Sequence, residues 1–275
     1  MSFDLDAFLE ASRRCVDSAL ERALPAPTEP PAVLHEAMRY AVFSGGKRLR
    51  PALAFGAARA CGVADEAALP VAVAAELVHA YSLVHDDLPA MDDAERRRGR
   101  PCVHVKFGEA NAVLVGDALL PAAFGVLAEG GTPLGVVEAL ARAAGSAALV
   151  GGQVDDLALS PETATLDEVV SIHERKTAAL FEFAVAGAAR TAGAPDASCR
   201  ALSRFALHYG LAFQATDDLL DADTSECSIL GVLPPEAARS YADNHIERAR
   251  AALEPFDTRA DALRALAERV AGRLS

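Results

Sequence analysis

The sequence predicts an all-α protein built as one helical domain. Alanine and leucine dominate, aromatic residues make up only 5% with no tryptophan, and β-branched runs of period two are scarce, so helix is favoured nearly everywhere. Hydrophobic residues reach 52% against 19 glycines and 15 prolines, a composition that buries a sizeable core and excludes a disordered acidic tail.

In chain order, the N-terminus places Asp4 and Asp6 before a short apolar stretch, the wrong order for a signal peptide. Pro25 to Pro31 ends this first segment, and the next closes at Ser44-Gly-Gly46. A long apolar stretch beginning near Val71 runs to His85 and breaks across Pro89 to Pro101. Gly130-Gly-Thr-Pro133 makes the next break, with Thr132 and Pro133 read as N-cap and first helical residue. After Ser160-Pro161, Thr165-Leu-Asp-Glu168 has the form of a capping box. Gly193-Ala-Pro195 and Asp223 to Pro235 divide the remainder, giving about ten helices of ordinary to long length. With no internal repeat and no long linker, one domain spans residues 1–275. Glu76 and His79 interrupt Val71 to Val84, and Asp117 interrupts Ala112 to Ala128, so no integral membrane segment is expected.

Asp and Glu number 39 against 26 Lys and Arg, a formal charge of -13 that argues against a broad nucleic-acid footprint. The five cysteines are scattered, odd in number and free of Cys-x-x-Cys pairs, which indicates neither a disulfide framework nor a zinc cluster and suits a reducing cytoplasm.

Two acidic clusters and three basic elements carry the chemistry. His85-Asp-Asp-Leu-Pro-Ala-Met-Asp-Asp93 places four carboxylates within eight residues at the end of an apolar helix. In a regular helix Asp86 and Asp92 would point about 240° apart, so Pro89 must distort the helix if they are to converge. In Phe213-Gln-Ala-Thr-Asp-Asp-Leu-Leu-Asp221, Asp217 and Asp221 lie about 40° apart on one face. Such carboxylates, without cysteine nearby, suit a hard cation, Mg²⁺ before Zn²⁺. Either cluster alone could be a solvated helix end. Their pairing with Ser44-Gly-Gly-Lys-Arg-Leu-Arg-Pro51 and Arg96-Arg-Arg-Gly-Arg-Pro101 points instead to a metal-bridged diphosphate gripped by guanidinium groups. His173-Glu-Arg-Lys-Thr177 adds Lys176, one of only three lysines; Lys47 is in the first basic element and Lys106 stands apart.

These motifs, together with His79 and Gly151-Gly-Gln153, resemble those of the trans-type isoprenyl diphosphate synthases, and among them the bacterial short-chain, farnesyl diphosphate synthase-like branch. The resemblance implies a single bundle of long antiparallel helices around a central cavity, commonly a homodimer. Carried over, Asp86, Asp92 and Asp217 would ligate Mg²⁺, with Asp87 and Asp221 in support, and Arg97 would contact the allylic diphosphate. Lys47, Arg50, His79 and Arg98 would form an isopentenyl diphosphate site built from cations. Lys176, Thr177 and Gln214 would line the allylic cation, although the last two could equally satisfy helix carbonyls. Tyr81 and Ser82, about 6 to 7.5 Å before the metal site along the helix, would form the cavity floor, with bulky Tyr81 stopping growth at a C15 product.

The sequence also departs from the pattern. The family continues beyond its second Asp motif with a Gly-Lys-x-x-Gly-Lys-Asp stretch, whereas here no cation follows Asp221 before Arg239, as though residues were deleted between Ser225 and Ile229. Cys102 stands where Thr is usual, and Ala94-Glu95 where two acids are common. The missing lysines leave open an impaired paralogue that binds isoprenyl diphosphates or regulates an active synthase; a geranyl or geranylgeranyl diphosphate synthase is a further alternative.

Overall fold

The apolar stretch around Val71 becomes the central helix α4 (Leu69–Asp86), buried over most of its length. The structure is a computed structural model and describes residues 3–221 and 227–274. Before α4 come α1 (Leu5–Ala23), α2 (Ala32–Val42) and α3 (Leu49–Ala60). After it, α5 (Val103–Phe107), α6 (Glu109–Glu129), α7 (Leu134–Ala144) and α8 (Leu149–Ala158) precede α9 (Leu166–Ile172). A π-helical turn, His173–Ala178, leads into α10 (Ala179–Thr191), then α11 (Asp196–Asp221), α12 (Pro235–Ala252) and α13 (Asp261–Ala271). The only strands among the described residues are β1 (Arg96–Arg97) and β2 (Arg100–Pro101), an antiparallel pair that folds the arginine cluster back on itself.

Helix α4 packs against α3 and α6, while α10 packs against α3 and α11, giving one continuous core that includes Leu53, Phe55, Leu77, Leu119, Phe181 and Phe205. A smaller cluster of Val169, Ala215, Ile229, Ala238 and Ala242 packs where α12 lies along α11. Each fully buried Leu in such a core contributes about 2–5 kcal/mol relative to Ala. Glu76, which breaks the apolar pattern of α4, is accommodated by charge: its Oε1 accepts from Arg48 Nη1 at 2.6 Å, both side chains being buried.

Several expectations are corrected. Thirteen α-helices are present among the described residues, rather than about ten, because short turns at 61–68, 145–148 and 253–260 divide stretches that lack a strong breaker cluster. Thr165 does form a capping box with Glu168, but Pro133 is the N-cap of α7 rather than its first residue. Thr132 instead donates its hydroxyl hydrogen to Leu127 O, finishing α6. Three stretches, Asp65–Asp86, Glu109–Glu129 and Leu134–Ala158, are long and apolar enough by composition to cross a membrane, contrary to the reading of single charged residues as interruptions. The first is apolar because it is mostly buried inside the bundle; the other two leave much of their apolar surface uncovered.

Candidate active site

Pro89 does not kink α4. The helix stops at Asp86, and the chain turns so that Asp92 N–H donates to Asp86 O at 2.9 Å, bringing back a residue that a continuous helix would have pointed away. Burial, with the nearby charges of Asp92 and Asp87, pushes the Asp86 carboxyl up to about 6 despite the opposing cations. Burial also raises Asp92, and Asp217 is raised in the same way although Arg273 and Lys47 oppose it. Crowded, desolvated carboxylates of this kind favour neutralisation by a cation.

Asp86 and Asp217 line a cavity of 770 Å³. Lys47, Arg50, His79, Ser82, Arg97 and Arg98 line it too, as do Lys176, Thr177 and Gln214. With Leu149 on α8, the cavity gathers residues from six separate sequence regions. Asp92 is not on its lining but is electrostatically beside Asp86. No three His, Cys, Asp or Glu side chains among the described residues converge tightly enough to cage one metal ion. Mg²⁺ needs no such cage, because it commonly takes one or two carboxylates and completes its shell with water and substrate phosphate. The oxygen-only donors therefore fit Mg²⁺ as a bridge to a diphosphate.

Tyr81 does not lie on the cavity lining with Ser82. On a helix, Ser82 shares the face of Asp86, whereas Tyr81 shares the strip of His85. Tyr81 is buried with its ring edge-on to His85, centroids 5.7 Å apart, and His85 Nε2 lies 3.0 Å from Val113 O on α6. Tyr81 thus packs on the strip of α4 that carries His85, the residue that reaches α6.

The basic residues are held individually. Arg97 donates to Asp87 Oδ1 from Nε at 2.7 Å and Nη2 at 2.6 Å, so Asp87 orients the arginine beside Asp86. Arg98 donates to the Gly45 carbonyl, tying the arginine ribbon to the glycine loop. Arg50 lies 4.6 Å over the Phe181 ring, and burial lowers its guanidinium to about 10. His79 is not a cation in this setting: burial, then the charges of Arg50 and Arg98, hold it well below its ordinary value, leaving a neutral imidazole among arginines. Cys102 is small enough to bury beside Asp87, whose hydrogen bond adds to burial in pushing the thiol up to about 12.

Lys176 and Thr177 project from the π-helical turn, a feature often found at functional sites. A Cβ at Gly152 would lie 2.6 Å from Lys176 N, and one at Gly210 would lie 2.7 Å from Ala178 Cα. Bare glycine backbone on α8 and α11 therefore lets both helices clamp the turn. Lys176 pairs with Asp156, and this charge, with those of Asp86 and Asp92, outweighs desolvation and keeps the ammonium protonated.

Asp156 and Arg273 were missed by motif reading. Asp156 was legible, three residues beyond Gln153 and on the same helical face. Arg273 was not, since only folding brings the C-terminal turn to Asp217, Nη1 to Oδ1 at 2.5 Å. It supplies a cation at the second Asp motif, whose own downstream lysines are lacking. Residues 222–226, where part of the apparent deletion falls, lie outside the described residues.

A polyprenyl synthetase family profile matches residues 31–229. The chain belongs to this family. It is 38% identical to a farnesyl diphosphate synthase from Geobacillus stearothermophilus, over 98% of this chain and 98% of the relative. That alignment runs over 291 residues, more than the 275 of this chain, so the relative carries residues that are lacking here. A farnesyl diphosphate synthase from Escherichia coli K12 is 43% identical over 79% of this chain and 76% of its own length. Among solved structures, an FPP/GFPP synthase from Zymomonas mobilis superposes with a TM-score of 0.89 at 39% identity, covering 97% of this chain and 98% of that one. The all-α isoprenoid synthase fold is thereby shared.

Proposed function

We infer that this family member is a short-chain isoprenyl diphosphate synthase that condenses isopentenyl diphosphate with dimethylallyl or geranyl diphosphate to give farnesyl diphosphate. The observation that carries this reading is the single cavity where two carboxylate motifs face a separate cluster of Lys47, Arg50, His79 and Arg98. A one-substrate terpene cyclase has no need of that second anion site.

Asp86, Asp92 and Asp217 are the residues to hold Mg²⁺, which when bound supplies positive charge to the departing diphosphate. Arg97, oriented by Asp87, adds a preorganised guanidinium to the same leaving group. The isopentenyl diphosphate rests on Lys47, Arg50 and Arg98, and neutral His79 serves it as a hydrogen-bond donor. The double bond of isopentenyl diphosphate then attacks the allylic cation, the new carbon–carbon bond forms, and released diphosphate takes the proton. Thr177 and Gln214 present oxygen atoms near the cation while the surrounding apolar helices exclude water. Tyr81 ends chain growth.

We further propose a cytoplasmic homodimer. Helix α6 is apolar nearly all round, yet Val113 and Leu114 are exposed, and Leu134, Val150, Val154 and Leu157 extend the uncovered surface. A second copy is the simplest cover. Sedimentation at micromolar concentration tests this, a monomer being the contrary result.

The decisive assay uses Mg²⁺, geranyl diphosphate and labelled isopentenyl diphosphate. Labelled farnesyl diphosphate supports the synthase. Retained binding without turnover supports the impaired paralogue, and cyclised product without incorporation supports a cyclase.

A further inference from the structure

Asp218 follows the metal-facing Asp217 on α11 but has a different set of partners. Its side chain is buried and absent from the cavity lining. Oδ1 accepts from Gln214 Nε2 at 2.8 Å, and Oδ2 accepts from the backbone N–H of Ile229 at 2.7 Å. His173 Nε2 stands 3.7 Å from Oδ2, too far for a hydrogen bond. At the other end of the same relay, Thr177 Oγ donates to Gln214 Oε1 at 2.9 Å.

The direction of this relay follows from one group. An ionised carboxylate only accepts, so it selects the NH₂ end of Gln214 and turns the amide oxygen toward Thr177. That oxygen in turn takes the only hydroxyl hydrogen of Thr177, leaving the Thr177 lone pairs free. Were Gln214 reversed, its NH₂ would face Thr177 and the hydroxyl hydrogen would be released toward the cavity, where positive charge develops. We propose that Asp218 is a positioning residue for the condensation. It takes no metal, sets the polarity of the Gln214–Thr177 pair, and fixes that pair to the turn beginning at Ile229. This rests on the reading of Thr177 and Gln214 as the residues facing the allylic cation.

Asp218→Asn, which keeps shape and introduces a donor, tests it. Single-turnover condensation of geranyl and isopentenyl diphosphates with Mg²⁺ is expected to slow roughly 10- to 100-fold, in line with the cost of small misplacements in an active site. KM for isopentenyl diphosphate is expected to stay within about twofold, since Asp218 touches none of Lys47, Arg50, His79 or Arg98. In a Thr177→Ala background the same substitution is expected to cost under about threefold, because the hydroxyl whose direction it sets is gone. Multiplicative losses in the double variant, a loss confined to KM, or a normal rate for Thr177→Ala alone each overturn the proposal. Thermal melting checks that each variant is folded. Should Asp218→Asn fail to fold, Asp218→Glu, which keeps the charge but moves the carboxylate by one methylene, carries the same cycle. A wild-type protein that incorporates no isopentenyl diphosphate overturns the synthase reading itself, and this proposal with it.

Discussion

Replacing Glu76 with Gln tests how the proposed isopentenyl diphosphate site is supported by the buried ion pair beside it. Arg48 and Glu76 are each only 5% exposed at the side chain, with Nη1 and Oε1 2.6 Å apart. Arg48 also donates to Asp17 Oδ1 at 2.8 Å and to the Val42 carbonyl at 2.9 Å, and its backbone takes the left-handed conformation with φ 49°. Desolvation works against the guanidinium charge, and the charges of Glu76 and Asp17 more than offset it. Stripping one partner from a buried ion pair costs about 3–5 kcal/mol because the remaining charge is left uncompensated. Here the guanidinium keeps Asp17 and Val42, and Gln can still accept a hydrogen bond, so the expected loss is nearer 2–3 kcal/mol. With an m-value of about 3 kcal/mol/M, the urea midpoint should fall by roughly 1 M. Arg48 sits between Lys47 and Arg50, so loosening it should also raise KM for isopentenyl diphosphate about 5- to 10-fold, equivalent to roughly 1 kcal/mol of binding. The turnover number at saturation should change less than about twofold. A midpoint shift below about 0.3 M together with an unchanged KM would refute the reasoning.

Tyr81→Ala should lengthen the main product beyond C15, read by chromatography of the dephosphorylated alcohols; an unchanged product distribution removes Tyr81 from the chain-length role. Gly152→Ala places a Cβ 2.6 Å from Lys176 N, and should cost about 1–3 kcal/mol of stability and roughly 100-fold in turnover, measured by thermal melting and steady-state kinetics. Acid should destabilise the packing of α11 on α12. His245 is buried, its Nδ1 lies 3.1 Å from that of His208, and burial, then His208 and Arg248, lowers it to about 4. Arg204 faces the same pair beside Arg248. Because the unfolded histidine takes up its proton near 6.5 and the folded one only near 4, stability present above 6.5 is lost as pH falls through that interval, by at most about 3 kcal/mol. Urea midpoints measured between these pH values should show that slope, and His245→Gln should flatten it.

Much of the site was legible because its chemistry is local in sequence. Asp217 and Asp221 share a helical face by spacing alone, and Lys47, Arg50, Arg97 and Arg98 are concentrated beside glycines. Thr165 to Glu168 likewise carries its own capping instructions, and the structure realises both bonds of the box. Other features lacked a local signal. The bonds of Asp87 to Arg97 and of Arg48 to Glu76 join residues 10 and 28 positions apart. The pairing of Arg273 with Asp217 spans 56 positions and leaves no mark in either neighbourhood.

The sequence by itself determined an all-α chain, the carriers of carboxylate and guanidinium groups, and the family to which the chain belongs. Helical periodicity and the spacing of charged residues are short-range properties, set within a few turns. Only the tertiary structure decided which groups act together. It ended α4 at Asp86 so that Asp92 could return, lowered the His79 imidazole by burying it beside arginines, and set Tyr81 edge-on to His85. It also separated two adjacent residues of one motif, turning Asp217 to the cavity and Asp218 to the buried relay. The physical reason is that burial and electrostatic environment depend on neighbours brought close by packing, which no local stretch of sequence contains.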